Sequence, residues 1–387
     1  MDKNKASKVV YFPGLNGVRI LACYLIIAFH VNQLKDIYGL ERLELHLLGP
    51  SSMYLTLFFV LSSFLITYLL LVEKKLTNKI NLKKFYTRRV LRVWPLYFLV
   101  IILGFGILPH FAPFQFPENN ILEYRYYWEM LLAFIFLFPH LHGIVFDVNT
   151  TIGPLWSIGV EEQFYFVWPF VITYFKRPVV ALVSIIILFL GLRHIDHIVG
   201  LTGVENSDLM TRLQWIGAYF NRFRLGTMAV GGLIAFVYFK KLVKIQRILY
   251  HPITQWGAWL SLLCFQIFPS IRPILLEHEV YSLVSAIMVI NMATNPKTLV
   301  SLENKWLKYL GELTYSSYVF HIPCIMLCIY VFNKQLGIDL DSIWGNVLLF
   351  GSSMLMTLCI SYFSYTYFES FFIRLKHRFA VVKNKTH

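Results

Sequence analysis

The chain has 387 residues, of which 57% are hydrophobic and only 14% charged, and its mean hydropathy is +0.60. A soluble protein of this length could not hide so much apolar surface, which excludes an ordinary globular fold. The net charge of +14 does not point to nucleic acid either, because the Lys and Arg residues sit in short loops between apolar segments, the pattern that encodes orientation in a membrane.

Eleven apolar stretches centre on residues 17–33, 53–72, 90–108, 128–140, 155–175, 178–193, 216–238, 255–269, 280–293, 314–333 and 344–367. Runs such as "MYLTLFFVLSSFLITYLLLV" approach the roughly 20 apolar residues a helix needs to cross a bilayer. The fold class is therefore all-α, a polytopic integral membrane protein of the cell membrane. The first apolar run follows a basic N-terminus and lacks a small-residue cleavage site, so it reads as a retained span. The loop at 73–92 carries Lys74, Lys75, Lys79, Lys83, Lys84, Arg88, Arg89 and Arg92 against one acid, which places it in the cytoplasm. The later basic clusters, Lys176 with Arg177, Lys240 to Arg247, Lys297 to Lys308 and Arg374 to Lys385, share that side only if residues 128–175 cross once. The expectation is about ten spans, a re-entrant or interfacial segment near 128–140, and both termini inside. Without repeats or linkers, residues 1–387 form one membrane domain, with 372–387 as a basic cytoplasmic tail. The cysteines Cys23, Cys264, Cys324, Cys328 and Cys359 show no disulfide or zinc spacing and read as small core residues.

Polar and ionisable residues inside spans cost about 2.5 to 3.5 kcal/mol each on insertion scales, so they are functional candidates by default. In chain order, Arg19 and His30 come first. Eleven positions are almost three helical turns, so the two share a face about 16 Å apart along the axis. Such an Arg could simply snorkel, whereas a neutral imidazole in a span could serve as a general base. Arg89 and Arg92, three apart at the inner end of the third span, make a multi-donor site suited to phosphate, or an ordinary anchor. "PHLHGIVFDVN" holds His140, His142 and Asp147, a weak metal pattern read here as an outer loop, with no metal expected. Glu161 and Glu162 point about 100° apart on a helix, so they have different partners. One could pair with Arg222 or Arg224 while the other faces a cavity, with Glu162 favoured for the cavity. Finally, Tyr315, Tyr318 and His321 recur at intervals of three and would line one helix face.

Seven segments in order, "GLNGVRILACYLIIAFH", "LFFVLSSFLIT", "FYTRRVLRVWPLY", "LWSIGVEEQFYFVWP", "RFRLGTMAVGGLIA", "LTYSSYVFHIP" and "YFSYTYFESFFIRL", resemble the membrane-bound acyltransferase family 3, which includes O-antigen and polysaccharide O-acetylases. The family's Arg and His separated by ten residues correspond to Arg19 and His30, its paired arginines to Arg89 and Arg92, and its Glu-Glu-Gln-Phe-Tyr element to Glu161 through Tyr165. Asn16 stands where Asp is usual, Ser63 where Gly is usual and Gly159 where Ser is common. The esterase-like domain of some relatives has no counterpart here. The resemblance implies acetyl-CoA or another acyl-CoA as cytoplasmic donor and a glycan or lipid-linked sugar hydroxyl as acceptor near the outer face. In that scheme Arg19, Arg89 and Arg92 hold the donor, and His30 acts as general base supported by Glu161 or Glu162. Tyr315, Tyr318 and His321 line the acceptor channel. The glutamates, about 21 Å above the cytoplasmic edge by helical rise, are expected in the outer half, away from the arginines. A proton-coupled transporter or flippase would use the same residue types. A homo-oligomer stays open.

Overall fold

The computed structural model describes residues 9–44, 51–117, 120–202, 207–273, 275–379 and 383–384. In chain order its helices are α1 (Leu15–Ile37), α2 (Ser51–Thr77), α3 (Leu82–Ile101), α4 (Tyr127–Ile135), α5 (Leu155–Tyr174), α6 (Pro178–Arg193), α7 (Ile195–Gly200) and α8 (Ser207–Arg222). They are followed by α9 (Leu225–Phe239), α10 (Val243–Leu249), α11 (Pro252–Ile267), α12 (Glu277–Thr294), α13 (Lys305–Glu312), α14 (Thr314–Ile329), α15 (Ile343–Phe363) and α16 (Ser370–His377). Wider π turns prolong α3, α14 and α15, so α3 runs on through His110, α14 through Gln335, and α15 joins α16 without a break.

The fold is thus an all-α membrane protein. Among the described residues, six helices are long and apolar enough to cross a bilayer: those at 15–37, 51–77, 82–110, 207–239, 314–335 and 343–377. The count of about ten rests further on α5, α6, α11 and α12, which fall short of that length or apolarity. At nine residues, α4 spans only about 14 Å and is too short to cross. The chain ends pair as two short parallel strands, Val9–Val10 against Lys383–Asn384, so both lie on one side of the bundle. The last tail residues fall outside the described set.

Apolar faces explain the packing. Phe166, Phe170 and Tyr174 recur every fourth residue on α5 and are exposed, as are Trp344, Val347 and Leu355 on α15. A stripe of large apolar side chains left uncovered on a helix is a lipid-facing surface. Inward, α2 lies tightly on α9. A Cβ on Gly231 would come within 1.9 Å of Ser63 Oγ and 2.3 Å of the Val60 carbonyl oxygen. Ser63, where the resemblance expects Gly, is accommodated because its partner is itself Gly and its hydroxyl turns back to Val60 O at 3.1 Å. Many buried polar groups inside the bundle are paired, as when Trp168 Nε1 donates to Thr67 Oγ1 at 2.7 Å. The core reading of the cysteines holds for Cys23, Cys324 and Cys328, whereas Cys264 is half-buried and Cys359 is exposed on the outer face of α15.

Candidate functional site

Between α1, α2, α3, α5, α14 and the α15–α16 continuation lies a cavity of about 260 Å³. Its stripe on α5 follows helical spacing: Ser157, Glu161 and Tyr165, four apart, all line it. Glu162, turned about 100° away, does not. It is buried and accepts a hydrogen bond from Trp94 Nε1 at 2.7 Å, while its other oxygen, Oε1, has no partner. The expectation that Glu162 faces the cavity is therefore corrected: Glu161 does.

The inner part of the cavity is cationic. Arg19, Arg88, Arg89 and Arg92 line it, joined by Lys376 and His377 from α16. Arg88 pairs with Glu73 at 3.5 Å. Arg89 instead lies over the Tyr165 ring at 5.1 Å, and its Nε has no partner. Arg19 Nη1 donates to Asn16 Oδ1 at 2.9 Å. The Asp usual at position 16 would have neutralised that charge, and the neutral Asn does not. Converging positive groups repel one another and stay clustered at least cost when an anion lies among them.

Glu161 sits next to these arginines, not apart from them. Its carboxylate accepts from both Ser62 Oγ and Tyr165 Oη, and those two hydroxyls are 2.7 Å apart. The misplacement has a simple cause. Counting up α5 from Lys176 sets the height of Glu161, but Arg89 and Arg92 are themselves about 12 and 16 Å up α3 from its Asn81 cap. The two helices bring the groups to overlapping depths. The suggested pairing with Arg222 or Arg224 is also corrected. Arg222 stacks on Trp156 at 5.1 Å, and Arg224 Nη1 donates to His278 Nδ1 at 2.9 Å.

Outward from Glu161 the wall becomes neutral. Tyr315 Oη donates to the Val93 carbonyl at 2.7 Å, and Tyr318 Oη shares a 2.7 Å hydrogen bond with Ser157 Oγ. Both tyrosines line the cavity. His30 and His321 do not. They stand behind Tyr318, whose ring centroid is 5.6 Å from that of His321. The two imidazoles meet each other, His321 Nε2 to His30 Nδ1 at 2.9 Å. α1 and α14 run in the same direction, with Asn16 packed on Gly311 and Cys23 on the Thr314 carbonyl, so the histidine pair lies about two turns beyond Thr314 and about three beyond Arg19. The shared face read from the spacing of Arg19 and His30 is the one that looks toward α14.

The outer-loop histidines separate. His142 Nε2 bonds to the Val148 carbonyl at 2.7 Å, whereas His140 is fully buried against Phe138, Tyr219 and Phe223. Burial, with Arg222 nearby, pushes His140 down to about 4. With Asp147 they do not converge on a common point. Gly159 explains the close approach of this loop, since a Cβ there would come within 2.4 Å of Pro139. The sequence reading missed Ser62, Ser157, Tyr165, Arg88, Lys376 and His377. Ser157 and Tyr165 carry a signal in hindsight, because with Glu161 they form an i, i+4, i+8 stripe. Lys376 and His377 were taken for tail.

These features define a class: a polytopic membrane protein with a charged cavity and, behind Tyr318, a hydrogen-bonded pair of histidines. The chain belongs to the acyltransferase domain family Acyl_transf_3, whose model matches residues 12–366. It is 25% identical over 361 residues to the peptidoglycan O-acetyltransferase OatA of Listeria monocytogenes, covering 87% of this chain and 52% of that protein. It is 28% identical over 340 residues to O-acetyltransferase OatA of Staphylococcus aureus, covering 82% and 51%. A putative O-acetyltransferase of the same species is 27% identical over 342 residues, covering 83% and 52%. The chain spans about half the length of these curated relatives. No solved structure matches it.

Proposed function

We propose that the protein is an integral membrane O-acyltransferase that moves an acyl group, acetyl by default, from cytoplasmic acyl-CoA to a hydroxyl of a glycan or lipid-linked sugar. The observation that carries this reading is the polarity of the cavity: converging arginines at its inner part and, beyond Tyr318 at its outer part, a pair of neutral imidazoles. Family membership and the printed names of the relatives, which act as O-acetyltransferases, favour the same class of reaction.

In this reading Arg19, Arg89 and Arg92, with Arg88 and Lys376, hold the phosphates of the donor, and the thin pantetheine arm carries the thioester outward past Glu161. His30 removes the proton of the acceptor hydroxyl as the oxygen attacks the thioester carbon. The O–H bond breaks, the C–O bond forms, and the proton resides on His30. Collapse of the tetrahedral intermediate breaks the C–S bond, and the departing thiolate takes that proton. Such a base contributes about 10² to 10⁴ in rate. Ser62, Tyr165 and Glu161 form a hydrogen-bonded polar step along the path, at the depth where the arginines end.

The test is reconstitution. Purified protein in vesicles, given labelled acetyl-CoA inside and candidate glycans outside, should acylate the glycan, and the His30→Ala variant should not. Movement of intact glycan without acylation would instead support a transporter and refute the proposal.

A further inference from the structure

The two imidazoles are bonded in a way that fixes which nitrogen of each carries a proton. His321 Nδ1 lies 2.7 Å from the backbone carbonyl oxygen of Tyr318, one turn before it on α14. A carbonyl oxygen can only accept, so Nδ1 of His321 must be the protonated nitrogen. In the neutral ring Nε2 then bears a lone pair, and it is this atom that meets His30 Nδ1 at 2.9 Å. His30 Nδ1 must therefore carry its own proton to make the contact. The Tyr318 carbonyl thus sets His321, and through it His30, in the same tautomer. The consequence falls on the far side of His30: its Nε2 is left as the basic atom, and among the described residues no hydrogen bond engages it.

We propose that His321 is a positioning residue for acyl transfer, which holds His30 in the tautomer that presents Nε2 as the base. This deepens the acyltransferase reading and rests on it. The arrangement replaces the carboxylate that orients a catalytic His in many hydrolases with a neutral imidazole anchored to a helix backbone. The substitution suits a membrane interior, where an ionised carboxylate is costly and a neutral ring is not. As His30 Nε2 takes the acceptor proton, its Nδ1–H bond to His321 becomes charge-assisted and strengthens. The support is thus largest when the transition state needs it. His321 is wholly buried against the Tyr318 ring, whereas His30 is only half-buried. His321 has no route to touch the donor itself.

Three variants in reconstituted protein test this. His321→Ala should lower kcat about 100-fold, within the range of a general base, while the KM for acetyl-CoA stays unchanged. His321→Gln, whose amide oxygen can accept from His30 Nδ1 at a similar reach, should restore kcat to within about tenfold of the parent. His30→Ala should be inactive and should show no further loss when His321→Ala is added, the non-additive behaviour of residues acting as one unit. Thermal melting of each variant reports separately on folding. Parental kcat in His321→Ala, or equal loss in the Ala and Gln variants, would overturn the positioning role. An inactive parent, or an active His30→Ala, would instead overturn the acyltransferase reading on which it stands.

Discussion

At the inner part of the cavity four arginines and a lysine converge on long side chains, with Asn16 rather than an acid beside Arg19. Behind Tyr318, His321 is wholly buried, its Nδ1 tied to the Tyr318 carbonyl of its own helix and its Nε2 to His30. The inner part can bind by charge, which falls off gradually with distance and tolerates displacement. The outer part depends on tautomer and direction, which do not. In the proposed reaction, binding and chemistry are thereby assigned to opposite ends of one channel, and changes at the two ends should have separable effects.

The largest expected effect is at the outer end. His30→Ala should reduce transfer by about 10² to 10⁴ while protein level and acyl-CoA affinity persist. Rate and binding measured on the same preparation check this. At the inner end, Arg89→Ala or Arg92→Ala should weaken acyl-CoA binding by about tenfold or more, from loss of a charge-assisted contact of about 1.5 to 3 kcal/mol. Titration calorimetry would show it, and unchanged affinity in both would remove the phosphate assignment. Between the ends, Glu161→Gln should slow transfer by about tenfold through its Ser62 and Tyr165 partners. Glu162→Gln, turned toward Trp94, should act on thermal stability before rate. If Glu162→Gln proved the more damaging to kcat, the roles of the pair would be reversed.

Two smaller effects concern the frame around the outer end. Gly159→Ser should cost about 1 to 3 kcal/mol by overpacking against Pro139, seen as a lower Tm in detergent. His140, held near 4 by burial, binds its proton less readily in the folded state than in the unfolded chain, where the value is about 6.5. The unfolded state thus takes up more protons as the pH falls from about 6.5 to 4, and stability should decline across that window. His140→Phe should flatten the dependence, which melting curves at a series of pH values would register.

Much of the architecture was legible in the sequence because a bilayer leaves few solutions. Apolar length gave helices, and α4 proved too short to cross, in line with the single crossing expected of residues 128–175. Arg19, Arg89, Arg92, Tyr315 and Tyr318 were found because an ionisable or hydrogen-bonding group within a span is conspicuous. What the sequence could not supply was depth across helices. Rise along α5 places Glu161 relative to Lys176, yet only packing against α3 shows it beside Arg89. The contact between His30 and His321 joins residues 291 positions apart, and no periodicity records it. Lys376 was hidden for another reason: its basic surroundings resemble an ordinary membrane anchor until α16 is seen to fold back against the cavity.

The arginine cluster has a consequence for turnover. In the proposed reaction the phosphates of acyl-CoA are untouched, so the grip on them would be the same before and after the acyl group leaves. Binding of that kind favours substrate and transition state alike and does nothing to expel what remains. Free coenzyme A should therefore compete with its own acylated form at nearly equal affinity. The neutral Asn16 adds no negative charge beside Arg19 to loosen that grip, so the rate of modification would follow the acylated fraction of the cytoplasmic coenzyme A pool rather than its total.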